Sequence, residues 1–273
     1  MRMEDAEFIA SYIRMATDGW EAGWHERNGG NLTYRIKPAE LEPVKHLFDY
    51  SRPWTDIGTE VPGLGGEFFL VTGSGKYFRN IRLSPEENIG IIEIDGPGKT
   101  FRILWGLINN ARPTSELPSH LMNHEVKVKT LGDAYRVIYH CHPSNIIALS
   151  FVLPLKDEVF TRELWESMTE CPVVFPGGVG VVPWMVPGGR DIAVESAKLM
   201  KDYNVIVWAH HGIFCAGEDF DITFGLAHTV EKSAEILVKV LSMSPNKLQT
   251  IQTTDFRNLA KAFGITLPEK FLG

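Results

Sequence analysis

The chain has 273 residues, 44% of them hydrophobic and 22% charged, with a net charge of −7. That is enough apolar sequence for one large domain, and length alone also permits two. The acidic balance without clustered Lys and Arg argues against a nucleic-acid surface, although a few local donors can still bind one phosphate.

Arg2, Glu4, Asp5, Glu7 and Arg14 interrupt the N-terminus, so no signal peptide is read there. No apolar run approaches the roughly 20 residues that a membrane helix needs. The three cysteines, Cys141, Cys171 and Cys215, show no CxxC spacing, which fits a reduced, cytoplasmic protein.

Residues 4–26 read as an amphipathic helix, with Phe8, Ile9, Tyr12, Ile13, Ala16 and Trp20 at helical spacing. It stops at Asn28-Gly29-Gly30-Asn31, and Leu32–Ile36 alternates like a strand. Residues 37–66 carry irregular Pro and Gly and read as a partly ordered excursion. Glu67–Thr72 is strand-like and runs into Gly73-Ser74-Gly75. Ile89–Ile94 and Phe101–Leu104 read as strands around a DGPG turn.

After Pro113-Thr114-Ser115-Glu116 a helix is expected from Pro118 to about Thr130, then a strand over Arg136–His142. Phe175–Val182 reads as a loop and a strand, 191–202 as a helix, and Val205–Ala209 as a short apolar strand ending at His210-His211-Gly212. Ile222–Met243 is a strongly amphipathic helix, and a short one follows near 254–264. No composition break or repeat divides the chain. Strands and helices mix throughout, which favours one α/β domain whose sheet is covered by helices on both faces.

His140-Cys141-His142 is the strongest local signal. On a strand, residues i and i+2 project from one face, so two imidazoles can share a cation. A polar strand end is the competing reading. His210-His211 ends a second apolar strand and favours the metal, but spacing does not choose between the two. His120 and His124, at i and i+4, read as a solvated or packing face because no third ligand is near.

Thr114-Ser115-Glu116 precedes a helix, where hydroxyls and free N–H groups can hold an anion, or merely cap the helix. Gly73-Ser74-Gly75-Lys76 fails the nucleotide pattern, since Leu70 and Tyr77 stand where a glycine and a hydroxyl are required. A cradle for a single phosphate remains open there and at Asn28–Asn31; both can also be ordinary turns. Glu163, Glu166 and Glu170, at helical spacing, read as a solvated face.

The order N-G-G-N, G-S-G-K, P-T-S-E, H-C-H and H-H-G resembles the class II aldolase/adducin family. The longer stretches GWHERNGGNLT, FLVTGSGKYFRN, PTSELPSH and FTRELWESMTEC are similar to its branch acting on L-rhamnulose 1-phosphate. The excursion at 37–66 points the same way, because the fuculose- and ribulose-phosphate branches are more compact there. With the element order, the resemblance implies a single three-layer αβα domain over 1–273 with a mixed, largely antiparallel sheet.

The resemblance further implies one zinc per subunit on His140, His142 and His211, the last being the histidine directly before glycine. It makes Glu116 the catalytic acid/base and Asn28, Gly30, Asn31, Ser74, Gly75, Thr114 and Ser115 the phosphate pocket. It brings Glu170 from a neighbouring subunit of a fourfold homotetramer. The implied reaction is lyase chemistry of rhamnose degradation: reversible cleavage to dihydroxyacetone phosphate and L-lactaldehyde, with zinc stabilising the enediolate. Another sugar-phosphate aldolase or epimerase, a zinc hydrolase and a non-catalytic adducin-like scaffold are the alternatives.

Overall fold

The computed structural model describes residues 2–244 and 246–273. A short 3-10 turn leads into α1 (Glu7–Glu21), which buries Phe8, Ile9, Tyr12, Met15 and Ala16. This helix ends five residues before the expected boundary at 26, leaving Trp24, His25 and Glu26 free of helical geometry. Strand β1 (Asn31–Arg35) follows, and then the excursion, which holds α2 (Pro38–Leu41) and the short edge strand β2 (Thr55–Asp56). The excursion is not detached: Val44, Ile57, Val61 and Leu64 are buried.

Next come β3 (Phe68–Thr72), the single turns α3 (Phe78–Ile81) and α4 (Pro85–Asn88), β4 (Ile89–Ile94) and β5 (Thr100–Gly106). Helix α5 (Leu117–Leu131) starts directly after Glu116, with Pro118 in its first turn, where a missing N–H costs nothing. Then follow β6 (Val137–Cys141), α6 (Ser144–Leu149), α7 (Asp157–Ser167), α8 (Cys171–Val174), β7 (Gly180–Val182) and α9 (Arg190–Leu199). The chain closes with β8 (Val205–Trp208), β9 (Gly212–Gly217), α10 (Phe220–Met243) and α11 (Thr253–Phe263).

Among the described residues the strands form one nine-stranded sheet in the order β2-β5-β4-β3-β1-β6-β9-β8-β7. Every pairing is antiparallel except β7 with β8, so the expected mixed, largely antiparallel sheet is present. Strand alternation sends Phe69 and Val71 into a core with Leu117 and Leu121 of α5. Leu70 and Leu32 join the opposite core with α1 and α10. The two cores give the three-layer arrangement.

Strand β9 was not expected. Gly212–Gly217 is a short apolar run between glycines, and without a periodic signal it is hard to tell from a loop. It pairs back on β8 with Trp208 opposite Gly212, so Ala209, His210 and His211 form the tip of a tight hairpin. His210 takes the left-handed φ of 61° at that tip.

Two further readings are sharpened. His120 and His124 take the packing alternative, not the solvated one: both are buried, and both bond Thr33 of β1 from α5. Glu166 is not on a solvated face either. It accepts from Arg162 at 2.5 Å, Lys247 at 3.2 Å and Thr250 at 3.0 Å, tying α7 to the C-terminal segment.

Candidate metal centre and substrate pocket

The end of β6, the tip of the β8–β9 hairpin and the loop before α5 converge at one end of the sheet. His140, His142 and His211 meet there with ring centroids 4.9 Å apart in all three pairs. One nitrogen from each lies within 4.8 Å of the others. The hairpin places the adjacent histidines differently. His211 turns inward, whereas His210 is exposed, lies against Phe151 and bonds Ser150 Oγ at 3.0 Å. Gly212 is required beside His211, because a Cβ there would stand 2.3 Å from the Cys141 carbonyl oxygen.

The hydrogen bonds fix the tautomers. His140 Nδ1 lies 2.9 Å from the Ile213 carbonyl, and His142 Nδ1 lies 2.7 Å from Glu26 Oε1. Both partners only accept, so each Nδ1 donates and each Nε2 of the neutral ring presents a bare lone pair. Those two Nε2 atoms face each other at 3.2 Å. Two lone pairs at that separation repel unless a cation lies between them. Tetrahedral nitrogen ligands at the usual zinc distance stand about 3.3 Å apart. His211 Nδ1 is itself buried without a hydrogen-bond partner. Burial holds His140 well below the usual imidazole range and pushes His211 down to about 4. Neutral imidazoles are what a metal needs.

Glu116 Oε2 lies 3.6 Å from His140 Nε2 and accepts from Asn31 Nδ2 at 2.7 Å. Burial raises its carboxyl above the ordinary value, and the Asn31 hydrogen bond works against that rise. A carboxyl so placed is within reach to pass a proton to or from a substrate held in the cleft.

Around these groups lies a cleft of about 200 Å³ lined by Asn28, Gly30, Asn31, Ser74, Gly75, Thr114, Ser115, Glu116, His140, His142 and His211. All the expected site residues are therefore brought together except Glu170, which is exposed at the start of α8 and does not line the cleft. Gly30 has a φ of 75°, and a Cβ there would meet His25 Nδ1 at 2.4 Å and the His140 carbonyl at 2.7 Å. Only glycine lets the 28–31 loop lie this close to β6. Among the described residues, the backbone N–H groups of Gly30, Gly75 and Ser115 donate to no protein acceptor.

Gly29 and Gly73 line the cleft within the two glycine segments singled out as phosphate cradles; sequence reasoning missed Pro187 and Gly188 in the lining, and it missed Glu26 as the partner of His142. The Pro-Gly-Gly turn at 187–189 and the position of Glu26 beside a glycine loop were the available signals.

Residues 10–238 match the Class II Aldolase and Adducin N-terminal domain family. The chain belongs to this family. A rhamnulose-1-phosphate aldolase of Klebsiella pneumoniae is 47% identical over 261 residues, covering 96% of this chain and 94% of that protein. One of Mannheimia succiniciproducens is 48% identical over 259 residues, covering 95% of each. A solved sugar-phosphate aldolase from Thermotoga maritima superimposes with a TM-score of 0.75 at 26% identity, over 88% of this chain and 97% of its own. The L-fuculose-1-phosphate aldolase structure from Thermus thermophilus, at 20% identity, shares the fold with a TM-score of 0.58, over 89% of this chain and 98% of its own.

The family and the aldolase-type lyase class expected from the motifs are borne out. Class II aldolases are generally metal-dependent, and the three histidines form a site suited to an ion. Among the described residues no helix is long and apolar enough to cross a membrane.

Proposed function

We propose that this class II aldolase cleaves L-rhamnulose 1-phosphate reversibly to dihydroxyacetone phosphate and L-lactaldehyde, with zinc held by His140, His142 and His211. One observation carries the reading: the Nε2 atoms of His140 and His142, 3.2 Å apart, lie beside the buried Glu116 side chain in a cleft lined by Gly30, Gly75 and Ser115, whose backbone N–H groups are unpaired among the described residues. Relatives at 47% and 48% identity that carry this substrate in their names support the choice of sugar.

A cation held there supplies Lewis acidity toward the substrate's carbonyl and hydroxyl oxygens as negative charge develops. The chain's own groups do the rest. Gly30, Gly75 and Ser115 offer N–H donors from three loops to the phosphate, joined by the hydroxyls of Ser74, Thr114 and Ser115 and by Asn28 and Asn31. Held at that end, the substrate places its reacting carbons beside Glu116. Glu116 gives a proton to the dihydroxyacetone phosphate carbon in cleavage and removes it in condensation. Glu170, arriving from a neighbouring subunit, handles the proton on the aldehyde oxygen.

A homotetramer with shared sites fits the exposed apolar side chains Trp184 and Val186, which precede Pro187 and Gly188 of the cleft, and Phe151 beside His210. Three free, buried cysteines fit the cytoplasm. The decisive measurement is a coupled assay of dihydroxyacetone phosphate release, with and without chelator, with L-fuculose and L-ribulose phosphates alongside. Chelator-sensitive release from the rhamnulose ester is expected. Faster release from a competitor would reassign the substrate, and activity indifferent to chelator would remove the metal.

A further inference from the structure

Glu116 stands at one end of a buried row of polar side chains that leads away from the cleft. Asn31 Nδ2 donates to Glu116 Oε2 at 2.7 Å, and Asn31 Oδ1 meets His120 Nε2. Thr33 Oγ1 lies 2.8 Å from His120 Nδ1 and 2.9 Å from His124 Nε2. Asn31 is 6% exposed, and Thr33, His120 and His124 are at most 1% exposed, so bulk water does not substitute for any of these partners. The row exists because β1 turns Asn31 and Thr33 to the α5 side, while His120 and His124, one helical turn apart on α5, face them.

Donor and acceptor roles follow from the cleft inward. With Asn31 donating to Oε2, its carbonyl must accept from His120 Nε2–H. His120 Nδ1 is then bare and accepts from the Thr33 hydroxyl, whose oxygen accepts from His124 Nε2–H. The reverse order would turn the Asn31 carbonyl against the Glu116 oxygen, two acceptors in contact when the carboxylate is ionised. Burial keeps both rings neutral, with His120 pushed down to about 3 and His124 well below its usual range. Glu116 Oε1, by contrast, has no hydrogen-bond partner among the described residues.

We propose that His120 and Thr33, backed by His124, are positioning residues that lock the donor face of Asn31 onto Glu116 Oε2 and so reserve Oε1 for proton transfer. This rests on the retro-aldol reading above. In cleavage the Oε1–H bond breaks and its electron pair stays on the carboxylate. The proton joins the carbon that holds the pair left by the broken C–C bond. In condensation the proton returns to Oε1. Oε2 keeps its Asn31 donor throughout, so one polarity of the row serves both protonation states.

The test pairs Thr33→Val, which removes the hydroxyl at nearly constant volume, with Thr33→Ser, which keeps it. Thr33→Val is expected to lower kcat by about tenfold or more, with KM within about twofold. Its metal content and its inhibition by inorganic phosphate should match the parent, and Thr33→Ser should restore turnover. A Thr33→Val protein that is merely less heat-stable but turns over normally would overturn the proposal. Neutron diffraction on the parent protein gives a readout independent of activity: deuterium is expected on His120 Nε2, with Nδ1 bare. Deuterium on Nδ1 would overturn the proposal even if Thr33→Val failed to fold. A parent protein that releases no dihydroxyacetone phosphate but shows this tautomer would sink the retro-aldol reading and the proton role of Oε1, leaving only the polarity of the row.

Discussion

Glu26 Oε1 and His142 Nδ1 lie 2.7 Å apart, joining the segment just after α1 to one histidine of the candidate metal centre. The same segment takes a second hold, because the His142 backbone N–H donates to the Trp24 carbonyl at 3.0 Å. Glu26 therefore sets which nitrogen of His142 is bare. A partner of this kind typically contributes 10–100-fold in metal affinity. The Glu26 side chain is 65% exposed, so water can replace it and the low end applies. We expect Glu26→Ala to bind zinc about tenfold more weakly in chelator competition, and His142→Ala to lose stoichiometric metal. Normal metal content in His142→Ala would contradict the ligand set.

Glu116→Gln separates proton transfer from binding. The amide oxygen can still accept from Asn31, so the cleft should keep its shape, while the group loses its ability to carry a proton. The expected loss is about 10²- to 10⁴-fold in kcat, with zinc content and phosphate inhibition retained. Near-normal turnover would end the acid/base assignment.

Glu170 invites a test of assembly. If a cleft takes Glu116 from one chain and Glu170 from its neighbour, Glu116→Gln and Glu170→Gln homomers are each impaired. Dissociated and reassembled together, they should regain part of the parent activity, because some mixed interfaces carry both intact glutamates. No recovery after verified subunit exchange would place both groups in one chain or remove Glu170 from the chemistry.

How far the site could be read from sequence varies residue by residue. The H-x-H pair was legible because strand alternation is a property of the backbone. The choice between His210 and His211 was not, since it depends on a hairpin whose second strand, β9, gives no periodic signal. His120 and His124 have the spacing of a ligand pair, and what makes them something else is Thr33, about ninety residues earlier in the chain and opposite them only after the sheet forms. The Asn31–Glu116 bond spans 85 residues and depends on β1 lying beside β3, whose Thr72 carbonyl accepts from Thr114 in the loop that carries Glu116. Local pattern fixes which side chains share a face; which faces meet is a tertiary outcome.

Lys127 gives a pH prediction away from the cleft. Its ammonium is buried against the Tyr203 carbonyl at 2.9 Å and Asn204 Oδ1 at 2.7 Å, and burial pushes it down to about 8. In the unfolded chain it titrates near the ordinary lysine value of 10.5. Between these values the unfolded state binds more protons than the folded one, so this group adds stability as pH rises. Three buried cysteines act in the opposite sense, because burial raises them and only the unfolded thiols ionise near pH 9. Comparing the parent with Lys127→Met cancels the cysteines, which both proteins share. The stability advantage of the parent over the variant should grow by about 2 kcal/mol between roughly pH 7.5 and 9.5 in urea unfolding. A pH-independent difference would mean that the folded lysine titrates as it does in the unfolded chain, and that its two oxygen partners fully offset the cost of burying the charge.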